Sequence, residues 1–231
     1  MNIFKKMLIF SKITLYNIKF LFLAAVYFGV CSLRWQAWDG NMSQYLNDIF
    51  SWTSWCITIL PVFFFLYHLY INWIRLPAIY VRIRDHKMYL KYFGFFTFIC
   101  SLIVSLLYGV CSYLPYIGFY VHNIQFLLFF KNEIFLFVFL NLYGLLFCIF
   151  RYIRFKEQLI QLLLIILPAL DHVLFFYFGV SMSQNAALAN TDLSTAFYYL
   201  IPWIVLYLLF HQILYLLIER NHAMEIQYDK I

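Results

Sequence analysis

The sequence predicts an all-α fold that crosses a lipid bilayer several times, on three observations. The chain of 231 residues is 65% hydrophobic and only 11% charged, where a soluble domain carries roughly 25% charged residues. Sixteen basic and ten acidic side chains are too few to clothe a globule of this size, so much of its apolar surface has to face lipid. Apolar runs long enough to cross ~30 Å of hydrocarbon at ~1.5 Å per residue recur six times, and the basic residues gather in alternate connections between them. In hydrocarbon a helix satisfies its own backbone, and no pattern of a closed strand barrel competes with it. The whole chain, 1–231, reads as one transmembrane domain.

The elements follow in order. Phe4, Met7, Leu8, Leu15 and Ile18 share one helical face beside a heptad row of Lys5, Lys12 and Lys19. That is the pattern of a helix lying in the membrane interface over residues 2–12; a plain basic anchor is the simpler reading of the same residues. Phe20 to Leu33 follows four lysines as a signal peptide would, yet it runs into Arg34, Trp35 and Trp38 with no small-residue cleavage pattern, so it is expected to remain as the first span. The six spans are placed at 13–33, 49–73, 92–117, 134–150, 158–179 and 197–217. The fourth is short. Phe119 to Phe130, apolar but broken by His122, Asn123 and Gln125, is expected to form an interfacial or re-entrant stretch leading into it.

Orientation comes from Lys and Arg. Lys5, Lys6, Lys12 and Lys19, then Arg75, Arg82, Arg84, Lys87 and Lys91, then Arg151, Arg154 and Lys156, then Arg220 and Lys230 fall on one side, leaving Arg34 and Lys131 on the other. The positive-inside rule puts the richer side, and with it both termini, in the cytoplasm of a cell membrane. Trp35, Trp38, Trp52 and Trp55 bracket the first outer loop as an interfacial belt, and Trp73 marks an inner boundary.

Chemistry inside the spans is sparse. Pro61, Pro115, Pro168 and Pro202 each remove a backbone hydrogen bond within a span. Pro61 and Pro168 each end an Ile-Leu-Pro triplet, in the second and fifth spans, the spacing a repeat of three plus three helices would give. Asp171 is the acidic residue read as deep in a span, with His172 beside it and Asn141 of the fourth span as its candidate partner. A carboxyl that locks two helices together and one that gates an ion path are both open readings. His68 and His211 lie near the inner ends of their spans.

Enzyme constellations do not emerge. There is no Gly-rich phosphate loop, no H-E-x-x-H, no G-x-S-x-G and no carboxylate cluster suited to Mg²⁺-dependent head-group transfer, so neither catalysis nor a cofactor is expected. Cys31, Cys56, Cys100, Cys111 and Cys148 are scattered singly and read as small hydrophobes. The net charge of +6 encodes orientation rather than a nucleic-acid partner.

The most informative loop runs from Arg75 to Tyr92. Leu76, Ile79, Tyr80 and Ile83 fall at i, i+3, i+4 and i+7 behind Pro77, with Arg82, Arg84 and Lys87 interleaved, which predicts a short amphipathic helix with a basic face. An interfacial first helix, six spans with both ends inside and this basic helix between spans two and three resemble the permease subunits of bacterial ATP-binding-cassette transporters, within them the small permeases of lantibiotic and bacteriocin export or self-protection. The loop between spans five and six, Ser181 to Ala196, is shorter than in many such permeases. The resemblance implies that residues 76–87 dock into a separate cytoplasmic ATPase, with Leu76, Ile79, Tyr80, Arg82, Ile83, Arg84 and Lys87 at the contact. It also implies a second membrane subunit, of the same or another chain, and a peptide or amphipathic substrate. Two other classes stay open: a stand-alone membrane immunity or assembly protein, and an ion-coupled carrier or membrane enzyme using Asp171.

Overall fold

The computed structural model describes residues 18–35, 49–74, 86–119, 126–153, 155–178 and 193–228, and every regular element among them is helical. In chain order they are α1 (Ile18–Trp35), the three-residue α2 (Trp52–Ser54), a π-helical turn at Trp55–Ile59, α3 (Leu60–Ile74), α4 (His86–Phe119), α5 (Phe126–Tyr152), α6 (Glu157–Phe178) and α7 (Leu193–Tyr228). Four of these contain windows long and apolar enough to cross a membrane: Phe93–Tyr113, Phe130–Arg151, Gln158–Phe178 and Leu200–Arg220. Leu21–Cys31 and Trp55–His68 are shorter apolar helices at the places of the first two expected spans. The interfacial helix expected over 2–12 and all of the docking helix except His86 and Lys87 lie outside the described residues.

The chain is organised around α5. It packs against both α4 and α7, α1 packs on α4, and the rod formed by α2, the π turn and α3 lies between α4 and α6. Burial follows: 61% of the α5 window is buried, against 18% for α6 and 11% for α7. Leu162, Ile166, Leu170 and Leu174 of α6 and Ile201, Val205 and Leu208 of α7 stay exposed, apolar surface of the kind that faces lipid or another membrane helix.

The pairing of α4 with α5 has a sequence cause. Thr97, Ser101, Ser105 and Gly109 recur every fourth residue and are buried, while Phe98, Leu102, Leu106 and Val110, one position on, are exposed. Small residues at this spacing let two backbones approach closely where no water drives the helices together. α5 answers with Gly144: a Cβ there would lie 2.3 Å from the Thr97 methyl.

α5 begins at Phe126, eight residues before the expected start of the fourth span, so Phe126 to Phe130 belong to the helix. The polar run Lys131-Asn132-Glu133 looks like an interface in sequence. In the fold Lys131 and Asn132 are buried against neighbouring helices, and the helix carries on through them. Trp55 also departs from the expected interfacial belt. It is buried in the π turn, edge-on to Phe139 at 5.6 Å between centroids and beside Tyr143 at 6.0 Å.

Candidate functional site

The segments that carry the two Ile-Leu-Pro triplets lie side by side, joined through Cys56 and Ile165. Pro61 has no N–H to offer the carbonyl of Ile57 four residues earlier, and the helix widens into the π turn just ahead of it, with the Leu60 N–H reaching back to Trp55 O. Tyr27 of α1 donates its hydroxyl to Ile57 O at 2.8 Å. Across the rod, Cys56 donates its thiol to Ile165 O of α6 at 3.0 Å, three residues before Pro168, which is buried. Turns of this kind, where neighbours re-satisfy the backbone that a proline leaves open, are how kinked helices persist in a membrane.

Below these contacts α3 and α6 separate. A cleft of ≈ 720 Å³ opens between them, lined by Pro61, Phe64, Phe65 and His68 from α3 and by Lys156, Gln158, Gln161 and Ile165 from α6 and its lead-in. Its floor is aromatic and aliphatic. Its polar groups all sit at the end where α6 begins.

Two further polar places lie inside the bundle. In the first, the fully buried Tyr67 hydroxyl meets Thr97 Oγ1 at 2.9 Å, Gly144 O at 3.1 Å and Cys148 Sγ at 2.9 Å. Thr97 gives its single hydrogen to Phe93 O at 2.8 Å. The Tyr67 hydrogen is therefore shared between Gly144 O and Thr97 Oγ1, and Cys148 donates to the phenol oxygen. Every group in this knot is paired, and the ring stacks on Phe63 at 5.5 Å and meets Phe147 edge-on at 5.4 Å. The thiols of Cys56 and Cys148 are thus hydrogen-bonding groups and not only small hydrophobes; all five cysteines are free.

The second place is the reverse. Glu133 lies one turn inside the α5 span, its carboxyl pressed on the backbone of Gly109: a Cβ there would be 2.6 Å from Glu133 Cδ and 2.8 Å from each oxygen. Both carboxyl oxygens are sealed from solvent with no hydrogen-bond partner among the described residues, and so are both polar atoms of the neighbouring Asn132 side chain and Ser101 Oγ. The stem of Glu133 is partly exposed, so only the charge-bearing end is shut in. The expected span limits left Glu133 outside the membrane. Its signal in sequence is a carboxyl at the end of the short polar run Lys131-Asn132-Glu133, set between two Phe- and Leu-rich stretches.

Of the residues singled out earlier, Asp171 and His172 are half-buried on α6. Asp171 acts electrostatically on Tyr143 of α5. Asn141 is buried, but its amide donates to Phe137 O of its own helix at 2.8 Å and its Oδ1 has no partner, so the structure does not pair it with Asp171. His211 is half-buried, stacked with Tyr207 at 6.4 Å. Lys87 stands in the first turn of α4, and Leu76, Ile79, Tyr80, Arg82, Ile83 and Arg84 lie outside the described residues. No three His, Cys, Asp or Glu side chains cluster to hold a metal among the described residues.

Known proteins add no name to this geometry. No protein family, curated protein or solved structure matches the chain. Function has to be read from the cleft, the sealed carboxyl and the apolar faces of α6 and α7.

Proposed function

We propose that this chain is the membrane permease subunit of an ATP-binding-cassette transporter, moving a peptide or amphipathic substrate with ATP hydrolysed by a separate subunit. In this reading it has six spans and both termini in the cytoplasm. The observation that carries the reading is the cleft between α3 and α6. Proline-interrupted helices in corresponding positions of two halves point to a substrate site in transporters, and here α3 with Pro61 and α6 with Pro168 border one cavity. The apolar faces of α6 and α7, buried to only 18% and 11%, leave room for a second membrane subunit. Residues 76–87 dock the ATPase.

The test is retention of an ATPase on the affinity-purified chain in mild detergent. Ile79→Asp with Ile83→Asp abolishes retention at equal membrane levels if the loop docks the partner; undiminished retention removes the loop from that role. For orientation, with the native thiols replaced, cysteines at Ser43 and Asn190 react with an impermeant reagent in intact cells and one at Lys156 does not. Labelling at Lys156 would end the six-span reading.

Glu133 favours a second reading, a proton- or cation-coupled carrier in which this carboxyl, rather than Asp171, holds the coupling ion. Unpaired ionisable groups inside a membrane bundle are costly and mark ion paths. In sealed proteoliposomes an imposed pH gradient then decays faster than in protein-free vesicles, and Glu133→Gln abolishes the difference while Asp171→Asn does not.

A further inference from the structure

The cleft between α3 and α6 has polarity along its length as well as volume. Lys156 precedes the first residue of α6, and its carbonyl accepts the Ile160 N–H at 3.0 Å, so it stands where that helix enters its apolar window at Gln158. Gln158 and Gln161 follow on the same side of the cavity, and His68 faces them from α3. From Lys156 to Ile165 the helix climbs ~14 Å at ~1.5 Å per residue, close to half of the ~30 Å hydrocarbon thickness. Over that climb the lining changes from cationic and amide groups to Ile165, Phe64, Phe65 and Pro61. Phe65 is 51% exposed and Leu162 of α6 is 55% exposed, so the apolar end is flanked by open hydrocarbon-facing surface.

We propose that this cleft binds one acidic phospholipid of the leaflet that Lys156 faces. The phosphate lies among Lys156, His68, Gln158 and Gln161, and an acyl chain runs over Phe64, Phe65 and Ile165. Three features select this occupant. A basic and amide-lined mouth complements a phosphate, the ~14 Å run of α6 that lines the cleft is close to the depth of one leaflet, and the exposed flank admits a chain sideways from the bilayer. A zwitterionic lipid brings its own cation and loses the charge match. The inference deepens the reading of the cleft as the substrate site, because it names the chemistry the site takes, yet it does not depend on an ATPase partner.

The experiment is native mass spectrometry of the full-length chain in detergent, titrated in parallel with phosphatidylglycerol and phosphatidylcholine. The expected result is one tightly held phosphatidylglycerol, with about tenfold preference over phosphatidylcholine, equivalent to ~1.4 kcal/mol. Lys156→Glu removes that preference, Lys156→Arg keeps it, and Arg220→Glu, an exposed basic residue on α7, leaves it intact. Phosphatidylglycerol raises the melting temperature of the unmodified chain and not that of Lys156→Glu. Equal binding of the two lipids overturns the proposal, as does a preference that survives Lys156→Glu or falls equally with Arg220→Glu. Displacement of the lipid by inorganic phosphate alone, or tighter capture of an acidic amphipathic peptide than of the lipid, overturns it as well. An ATPase retained on a chain with no acidic-lipid preference breaks this inference only; a lipid preference without an ATPase breaks only the permease reading.

Discussion

Tyr67 and Glu133 are both buried polar side chains on the helices around α4, and they are treated in opposite ways. At Tyr67 three helices contribute, each hydrogen has an acceptor, and the hydroxyl sits where Gly144 lets α5 come close to α4. At Glu133 two helices close on the carboxyl, which has no hydrogen-bond partner among the described residues. A buried polar group that is fully paired fixes helix register, whereas one left unpaired weakens the fold and persists where function uses it. The first place holds the bundle together; the second is the one to probe for transport.

The glycines separate the two places most sharply. Gly144→Ala drives a methyl into Thr97, which cannot swing away because its hydroxyl is held by Phe93 O and by Tyr67. Overpacking of this kind costs about 1–3 kcal/mol, measured as unfolding free energy in mixed micelles. Tyr67→Phe removes the hydroxyl and keeps the ring, and interhelical hydrogen bonds in membranes contribute about 0.6–1.7 kcal/mol, so its loss falls below that of Gly144→Ala in the same assay. Gly109→Ala meets only the end of a flexible side chain, and the Glu133 carboxyl turns aside. Its cost is expected under about 1 kcal/mol. A cost equal to that of Gly144→Ala would mean that Glu133 is held as firmly as Thr97.

The helical class was legible from composition, and α4 from Phe93 to Tyr113 because it is strongly apolar and uncharged there. The exposed apolar row Phe98, Leu102, Leu106, Val110 and the small row Thr97, Ser101, Ser105, Gly109 were both readable from period four, but the second shows its meaning only against Gly144. The Tyr67 knot joins residues 30, 77 and 81 positions apart, which no local pattern reports. Glu133 was hidden by its neighbours Lys131 and Asn132. A hydropathy window averages the three into an interface, although each points to a different side of the helix. Asp171 stood out for the opposite reason, being set apart from other acidic residues in an apolar stretch. That Pro61 leaves a backbone carbonyl open follows from the sequence; that Tyr27 takes up the Ile57 carbonyl required the fold.

The central claim is that the Glu133 carboxyl has no hydrogen-bond partner among the described residues and adds nothing to the stability of the bundle. Glu133→Leu tests it most directly, because leucine fills similar space and removes the unpaired oxygens. With unfolding free energy measured for both chains in the same micelles, Glu133→Leu is predicted to equal or exceed the unmodified chain, as replacing unsatisfied buried polar groups by apolar ones commonly does. A loss of more than about 1 kcal/mol, the size of a broken hydrogen bond, would contradict the claim and place Glu133 with Tyr67 among the groups that hold the helices together.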